Sequence, residues 1–260
     1  RTRAWRAKEK GLEPLALLLL EQKPQVDPLA EAAAYIDAEK GVESAEDALA
    51  GARDIIAENV SDDPSLRKRL RVVAMAQSDL VSKAAKPDED SVYAQYYDFR
   101  QPVRQAAGHR VLAVDRGERE GFLKVSIELD RARALSIVES ACVRGTSPSS
   151  QEVRAAAEDA YDRLIFPSLE REIRAALTEK ADEDAIKVFR VNLRQLLMQP
   201  PVRGKVAIGL DPGYRTGCKV AVVDATGRVL DTGVIYPTHS QSKKDEAART
   251  LRRLIEKHGA

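Results

Sequence analysis

Cysteine, histidine and long apolar runs are all scarce here, and each scarcity narrows the class of protein. The two cysteines, Cys142 and Cys218, lie far apart and form no CxxC pattern. A disulfide framework needs more than that. One bridge stays open, but the expectation is a pair of reduced thiols in a cytoplasmic protein. The three histidines, His109, His239 and His258, share no metal-ligand spacing and are assigned no role. The longest apolar run near the start, "LALLLL" at 15–20, sits between Glu13 and Glu21 and is too short for a bilayer. With no signal-peptide cleavage pattern beside it, neither secretion nor membrane insertion is expected. Net charge is lacking too: 42 Lys and Arg face 41 Asp and Glu, a balance of +1. No overall basic excess pulls the chain onto nucleic acid. Residues 205–260 are mildly basic, with ten Lys and Arg against six Asp and Glu, too little to name a partner. No methionine precedes Arg1, so a piece of a longer protein is expected.

What is present is helical periodicity over most of the chain. A length of 260 residues predicts about two domains. In "SAEDALAGARDIIAENV" (44–60) a serine stands three residues ahead of Asp47, with Ala48, Ile55 and Ile56 at helical spacing. "SSQEVRAAAEDAYDRL" (149–164) aligns Val153, Ala157, Ala160 and Leu164, and "DAIKVFRVNLRQLLM" (184–198) aligns Ile186, Phe189, Leu193, Leu196 and Leu197. Two stretches, 78–86 and 121–129, carry β-compatible residues and are expected to pair as a small sheet. Residues 1–200 thus read as mostly α with a small β element. At "QPPVRG" (199–204) two prolines end the helix. Strand candidates follow at 205–211, 217–224 and 228–236, the last two joined by a short loop ending in Gly227. A helix with Ala247, Leu251, Leu254 and Ile255 on one stripe comes next, stopped by Gly259. This β-β-β-α order over 201–260 reads as a truncated α/β unit, because three strands and one helix leave an open edge.

Chemistry, if any, centres on Asp211 in "GLDPGYRTG". Asp-Pro-Gly is a strong turn signal by itself. A nuclease reading requires more. A phosphodiester repels a lone carboxylate, so hydrolysis of this kind uses several Asp or Glu side chains to cage Mg²⁺, which neutralises the phosphate and activates water. Asp224 and Asp231 are the nearest candidates in sequence, and both flank the hairpin as turn or edge residues.

"GLDPGYRTGCKVAVVDATGRVLDTGVIYP" (209–237) resembles the opening of the YqgF/RuvC-like domain, of RNase H fold, in the Tex family of bacterial transcription accessory proteins. "RAKEKGLEPLA" (6–16), "ARDIIAENVSDD" (52–63), "YYDFRQPVRQAAGHRVLAVDRGEREGFLKVSI" (96–127) and "LMQPPVRG" (197–204) are similar, in the same order, to that family's helical N-terminal region. The resemblance implies an α-rich Tex region over 1–200 and the first half of a YqgF/RuvC-like domain over 201–260. By analogy with RuvC-like resolvases it makes Asp211, with Gly213, the position of a first metal ligand, the family's other acidic positions lying beyond Ala260. It also implies later helix-hairpin-helix segments and an OB-fold RNA-binding domain that grips nucleic acid. The expectation is therefore a non-catalytic, cytoplasmic, nucleic-acid-associated scaffold, binding RNA or DNA through the missing C-terminal domains and working near the transcription machinery, with no membrane partner and no cofactor. Two enzyme readings stand beside it. One is a Mg²⁺-dependent nuclease in which Asp211 is completed by later carboxylates. The other is an actin-like phosphotransferase, for which no second phosphate loop is visible.

Other features have plainer readings. The aromatic cluster Tyr93, Tyr96, Tyr97 and Phe99 is expected to pack rather than stack bases. Arg163, Arg171 and Arg174 alternate with acidic residues, which suits salt-bridged helix faces. A helix-turn-helix within 149–199 would let some of them face nucleic acid. Cys218 opens a strand as a small apolar residue.

Overall fold

The computed structural model describes residues 1–87, 89–200 and 204–260. They form two compact units that divide between Arg190 and Val191. The expected domain start at 201, with part of the proline-rich "QPPVRG" segment, falls on residues outside those described.

The first unit contains α1 (Arg3–Glu9), α2 (Glu13–Glu21), α3 (Pro28–Ala32), α4 (Ala45–Ser61) and α5 (Pro64–Gln77), followed by strands β1 (Asp79–Ala84) and β2 (Asp98–Pro102). Helix α6 (Gly108–Arg119), strand β3 (Leu123–Glu128) and helices α7 (Arg131–Cys142), α8 (Pro148–Asp159) and α9 (Phe166–Leu197) complete it, α9 running past the division. Helix α4 is its axis. Ala48, Leu49, Ala52, Ile55, Ile56 and Val60 recur at three- and four-residue intervals and are buried, giving the helix one wide apolar face for α1, α2, α3 and α8. Ser44 starts it, its Oγ accepting from the Asp47 amide at 3.1 Å while the Asp47 carboxylate accepts from the Glu43 amide at 3.2 Å. Helices α3, α5 and α8 begin in a related way, with Asp27, Asp63 or Ser147 as cap and a proline next, whose missing amide hydrogen costs nothing there.

The expected small sheet is present. β1 and β3 pair antiparallel, Asp79 opposite Glu128 through Ala84 opposite Leu123, and β2 adds on the other side of β1. β2 itself was not expected, because its residues "DFRQP" break the apolar alternation with Asp98 and Pro102. The outer edge of β3 is closed by side chains instead of a strand. The Val125 amide donates to Glu118 at 3.1 Å, the Ile127 amide donates to Glu170 at 2.8 Å, and Arg174 donates to the Val125 carbonyl at 3.1 Å.

The helix-turn-helix expected within 149–199 is not formed. From α8 the chain passes through one π-helical segment, Ala160–Ile165, directly into α9, and both flanking residues keep right-handed helical angles. No glycine or proline after α8 breaks the run before Pro167, which follows directly on the π-helical segment, where the hydrogen-bond pattern changes. The apolar stripe of 184–198 is real but uncovered, with Phe189 66% and Leu197 73% exposed.

The second unit has strands β4 (Ala207–Asp211), β5 (Cys218–Val223) and β6 (Val229–Ile235) in an antiparallel meander, then helix α10 (Gln241–His258). Alternation along β5 decides its architecture. Cys218, Val220 and Val222 are buried with Ile235, Ala247 and Leu254 against α10, while Lys219, Ala221 and Val223 point to the other face. Helix α10 covers only the first of these faces. Ser240 caps α10 by accepting from the Lys243 amide, and Gly259 ends it at φ +67°.

Candidate functional site

Asp211 is the last residue of β4, exposed, and directly opposite Lys219 of β5. Residues opposite one another in an antiparallel pair share a face, so both belong to the side away from α10. Thr232 and Val234 of β6 continue that side, and together they line an open depression of about 600 Å³.

Neither of the other two acidic residues can join it. Asp224 lies in the β5–β6 turn, at the opposite end of β5 from Asp211. A six-residue strand separates the two ends by roughly 17 Å, far beyond the span of one ion's ligands. Its Oδ1 accepts from the Thr226 hydroxyl at 2.7 Å and from the Thr226 and Arg228 amides, and the Thr226 hydroxyl leads in holding its carboxyl below the usual range. Asp231 stands opposite Val222, on the face that meets α10. There its Oδ2 accepts from Lys257 at 2.9 Å and lies 3.2 Å from His258 Nε2. Lys257 first, and then His258, hold its carboxyl down to about 2. The turn role expected for Asp224 is observed. Asp231 is more than an edge residue, since it ties the strand to the last turn of α10, where cations oppose the helix dipole. Among the described residues no three His, Cys, Asp or Glu side chains are placed to hold a metal ion. The donors among the described residues do not fit a magnesium cage around Asp211.

The loop between Asp211 and Cys218 is tight. A Cβ on Gly213 would lie 2.6 Å from the Gly217 carbonyl oxygen, and one on Gly217, at φ +85°, would lie 2.6 Å from the Tyr236 ring. Sequence reasoning saw the turn and missed Lys219 opposite Asp211 and the exposed Tyr214 at the loop. Strand alternation counted back from Val220 would have found Lys219.

The remaining candidates are structural. Tyr93 and Tyr96 are buried, Tyr93 donating to Glu120 at 2.8 Å and Tyr96 packing edge-on against Phe99 with centroids 5.4 Å apart. Tyr97 is half-buried and donates to Ser91 at 2.9 Å. Arg163 pairs with Asp54 and Asp159, and Arg174 pairs with Asp115 and Glu118; Arg171 is exposed. His109 is exposed, and His239 packs edge-on against Tyr236 at 5.1 Å. Both cysteines are free thiols, Cys218 buried in the second core.

Comparison with known proteins gives the context of this geometry. Residues 23–189 match the Tex central region-like family, and residues 205–260 match the Tex protein YqgF-like domain. The chain belongs to the Tex family. Its β-β-β-α unit accordingly fits the opening of the family's YqgF-like, RNase H-like domain. The chain is 45% identical over 263 residues to "Uncharacterized protein YdcI" of Bacillus subtilis, covering 99% of this chain and 36% of that protein. It is 37% identical over 267 residues to "Transcriptional accessory protein Tex" of Neisseria gonorrhoeae, covering 100% of this chain and 34% of that one. It is 32% identical over 251 residues to "S1 RNA-binding domain-containing protein 1" of Pongo abelii, covering 90% and 25% respectively. The chain thus spans about a quarter to just over a third of the length of these curated relatives. No helix among the described residues is long and apolar enough to cross a membrane.

Proposed function

We propose that this chain is the scaffolding and nucleic-acid-associated part of a Tex-type transcription accessory protein, working in the cytoplasm and not itself catalytic. The observation that carries the non-catalytic part is the solitude of Asp211. Asp224 lies at the far end of β5 and Asp231 on the opposite face, and among the described residues no group of three His, Cys, Asp or Glu side chains is placed to hold an ion there. Nucleic acid as partner, RNA or DNA, and proximity to the transcription machinery are supported by the relatives named for transcription and for an S1 RNA-binding domain.

Two assays test this reading. The 260-residue chain, incubated with Mg²⁺ and single-stranded or branched DNA, should leave the substrate intact. It should also bind single-stranded RNA with an affinity that falls as salt rises. Cleavage that disappears in Asp211→Asn would replace this reading with the Mg²⁺-dependent nuclease. The exposed position of Asp211 at the end of the first strand is the one observation in that rival's favour.

A further inference from the structure

The β4–β5 loop has a feature that the placement of Asp211 does not use. Tyr214 is 86% exposed, ahead of Val92 at 84% and of the other exposed large apolar side chains among the described residues. Its isolation has a structural cause. Gly213 folds against Gly217 and Thr216, and Gly217 packs under Tyr236, so the loop is drawn tight at its base and the three residues between these anchors, Tyr214 first among them, stand outward. An exposed aromatic ring on a taut loop loses little conformational freedom when something covers it.

Its surroundings select what can cover it. The Cys218–Ile235 pairing brings the loop beside the segment that follows β6. Between them lies a cavity of about 260 Å³ with Leu210, Pro212, Cys218 and Pro237 in its wall and Tyr214 at its border. Arg215 follows the ring, exposed and in no ion pair among the described residues, and Lys219 lies on the adjoining strand. Tyr236, with Lys243 Nζ 5.9 Å from its ring centroid, stands on the far side of Gly217. Asp211 is the one carboxylate between Gly209 and Ala221, and it faces Lys219. A flat apolar ring beside an unpaired guanidinium and an apolar hollow matches a nucleotide, which offers a π-face and a phosphate a few ångströms apart.

We propose that Tyr214 is a base-stacking platform for single-stranded nucleic acid, with Arg215 meeting the adjoining phosphate. This rests on the nucleic-acid reading above and adds the place of contact. The ring contributes a stacking surface without sequence preference, and Arg215 contributes the salt-dependent part.

The test uses the 260-residue chain and a fluorescent single-stranded oligonucleotide, followed by anisotropy, with a second oligonucleotide carrying 2-aminopurine to report stacking. Tyr214→Ala should weaken binding roughly tenfold and abolish the 2-aminopurine quenching, while Tyr214→Phe keeps both. Arg215→Ala should lower the slope of log affinity against log salt by about one. An unchanged melting temperature shows that the variants still fold, as expected for an exposed ring. If the chain binds and Tyr214→Ala binds equally well with quenching intact, the platform is wrong and the nucleic-acid reading stands. If the unaltered chain binds no oligonucleotide at low salt, both fall together.

Discussion

At the scale of single residues, Asp231 and Gly217 hold the second unit in shape. Asp231 sits on the α10 face with Lys257 and His258, which keep its carboxyl at about 2 against an ordinary 3.8. A carboxyl lowered on folding adds stability that is complete above its unfolded value and fades as pH falls through the folded one. The advantage of the native chain over Asp231→Asn should therefore be full at pH 5 and shrink between about pH 4 and pH 2. Thermal melts of both proteins across that interval check it, and a constant difference would show that the ion pairs contribute nothing. Gly217 combines φ +85° with a Cβ position 2.6 Å from the Tyr236 ring. Gly217→Ala should cost roughly 2 kcal/mol or more, measured by denaturant unfolding. Cys142 gives a chemical readout, since burial pushes its thiol up to about 11. At pH 8 it should react with a disulfide reagent far more slowly than a free thiol, because the thiolate is the nucleophile.

At the scale of elements, the β3 edge shows how helices can stand in for a strand. Arg174 joins α9 to the Val125 carbonyl, to Asp115 at 2.8 Å and to Glu118 at 2.7 Å, while Glu118 and Glu170 take the outward amides of β3. Removing the guanidinium leaves two carboxylates facing each other and a carbonyl without its donor. Arg174→Ala should destabilise the first unit by roughly 2 kcal/mol and speed hydrogen exchange at Val125 and Ile127. Exchange unchanged at those two amides would count against the sealed edge. The elements also show where sequence reading works. Helix α4 and the β1–β3 pair are set by local signals, a capping serine and a two- or four-residue rhythm. β2 and the continuous α8–α9 run are not, since the first is held by pairing to β1 and the second carries polar residues compatible with either a turn or a helix.

At the scale of the whole molecule, the contrast between the units is one of core size. The first unit buries a single large cluster that spans its helices and its sheet, whereas the second buries Cys218, Val220, Val222, Ile235, Ala247 and Leu254. Apolar burial is the main force opposing chain entropy, so a small core gives a low local opening energy. Amides of β4, β5 and β6 should exchange with solvent faster than those of α4, as hydrogen-exchange mass spectrometry would reveal. Equal protection in both would mean that the second unit draws stability from groups outside its own core.

Residue order alone determined the α-rich first region, the β-β-β-α succession, the Ser44 start of α4 and the Gly259 stop of α10, and the turn at Asp211, because each depends on neighbours within a few positions. The Tex resemblance was legible for the same reason, being carried by contiguous motifs. Only the tertiary structure decided which acids face one another. Strand register sent Asp231 to the helix side and Asp211 to the open side, and it set Lys219 across from Asp211. Alternation states that neighbours diverge, but the face that is buried depends on where α10 lands.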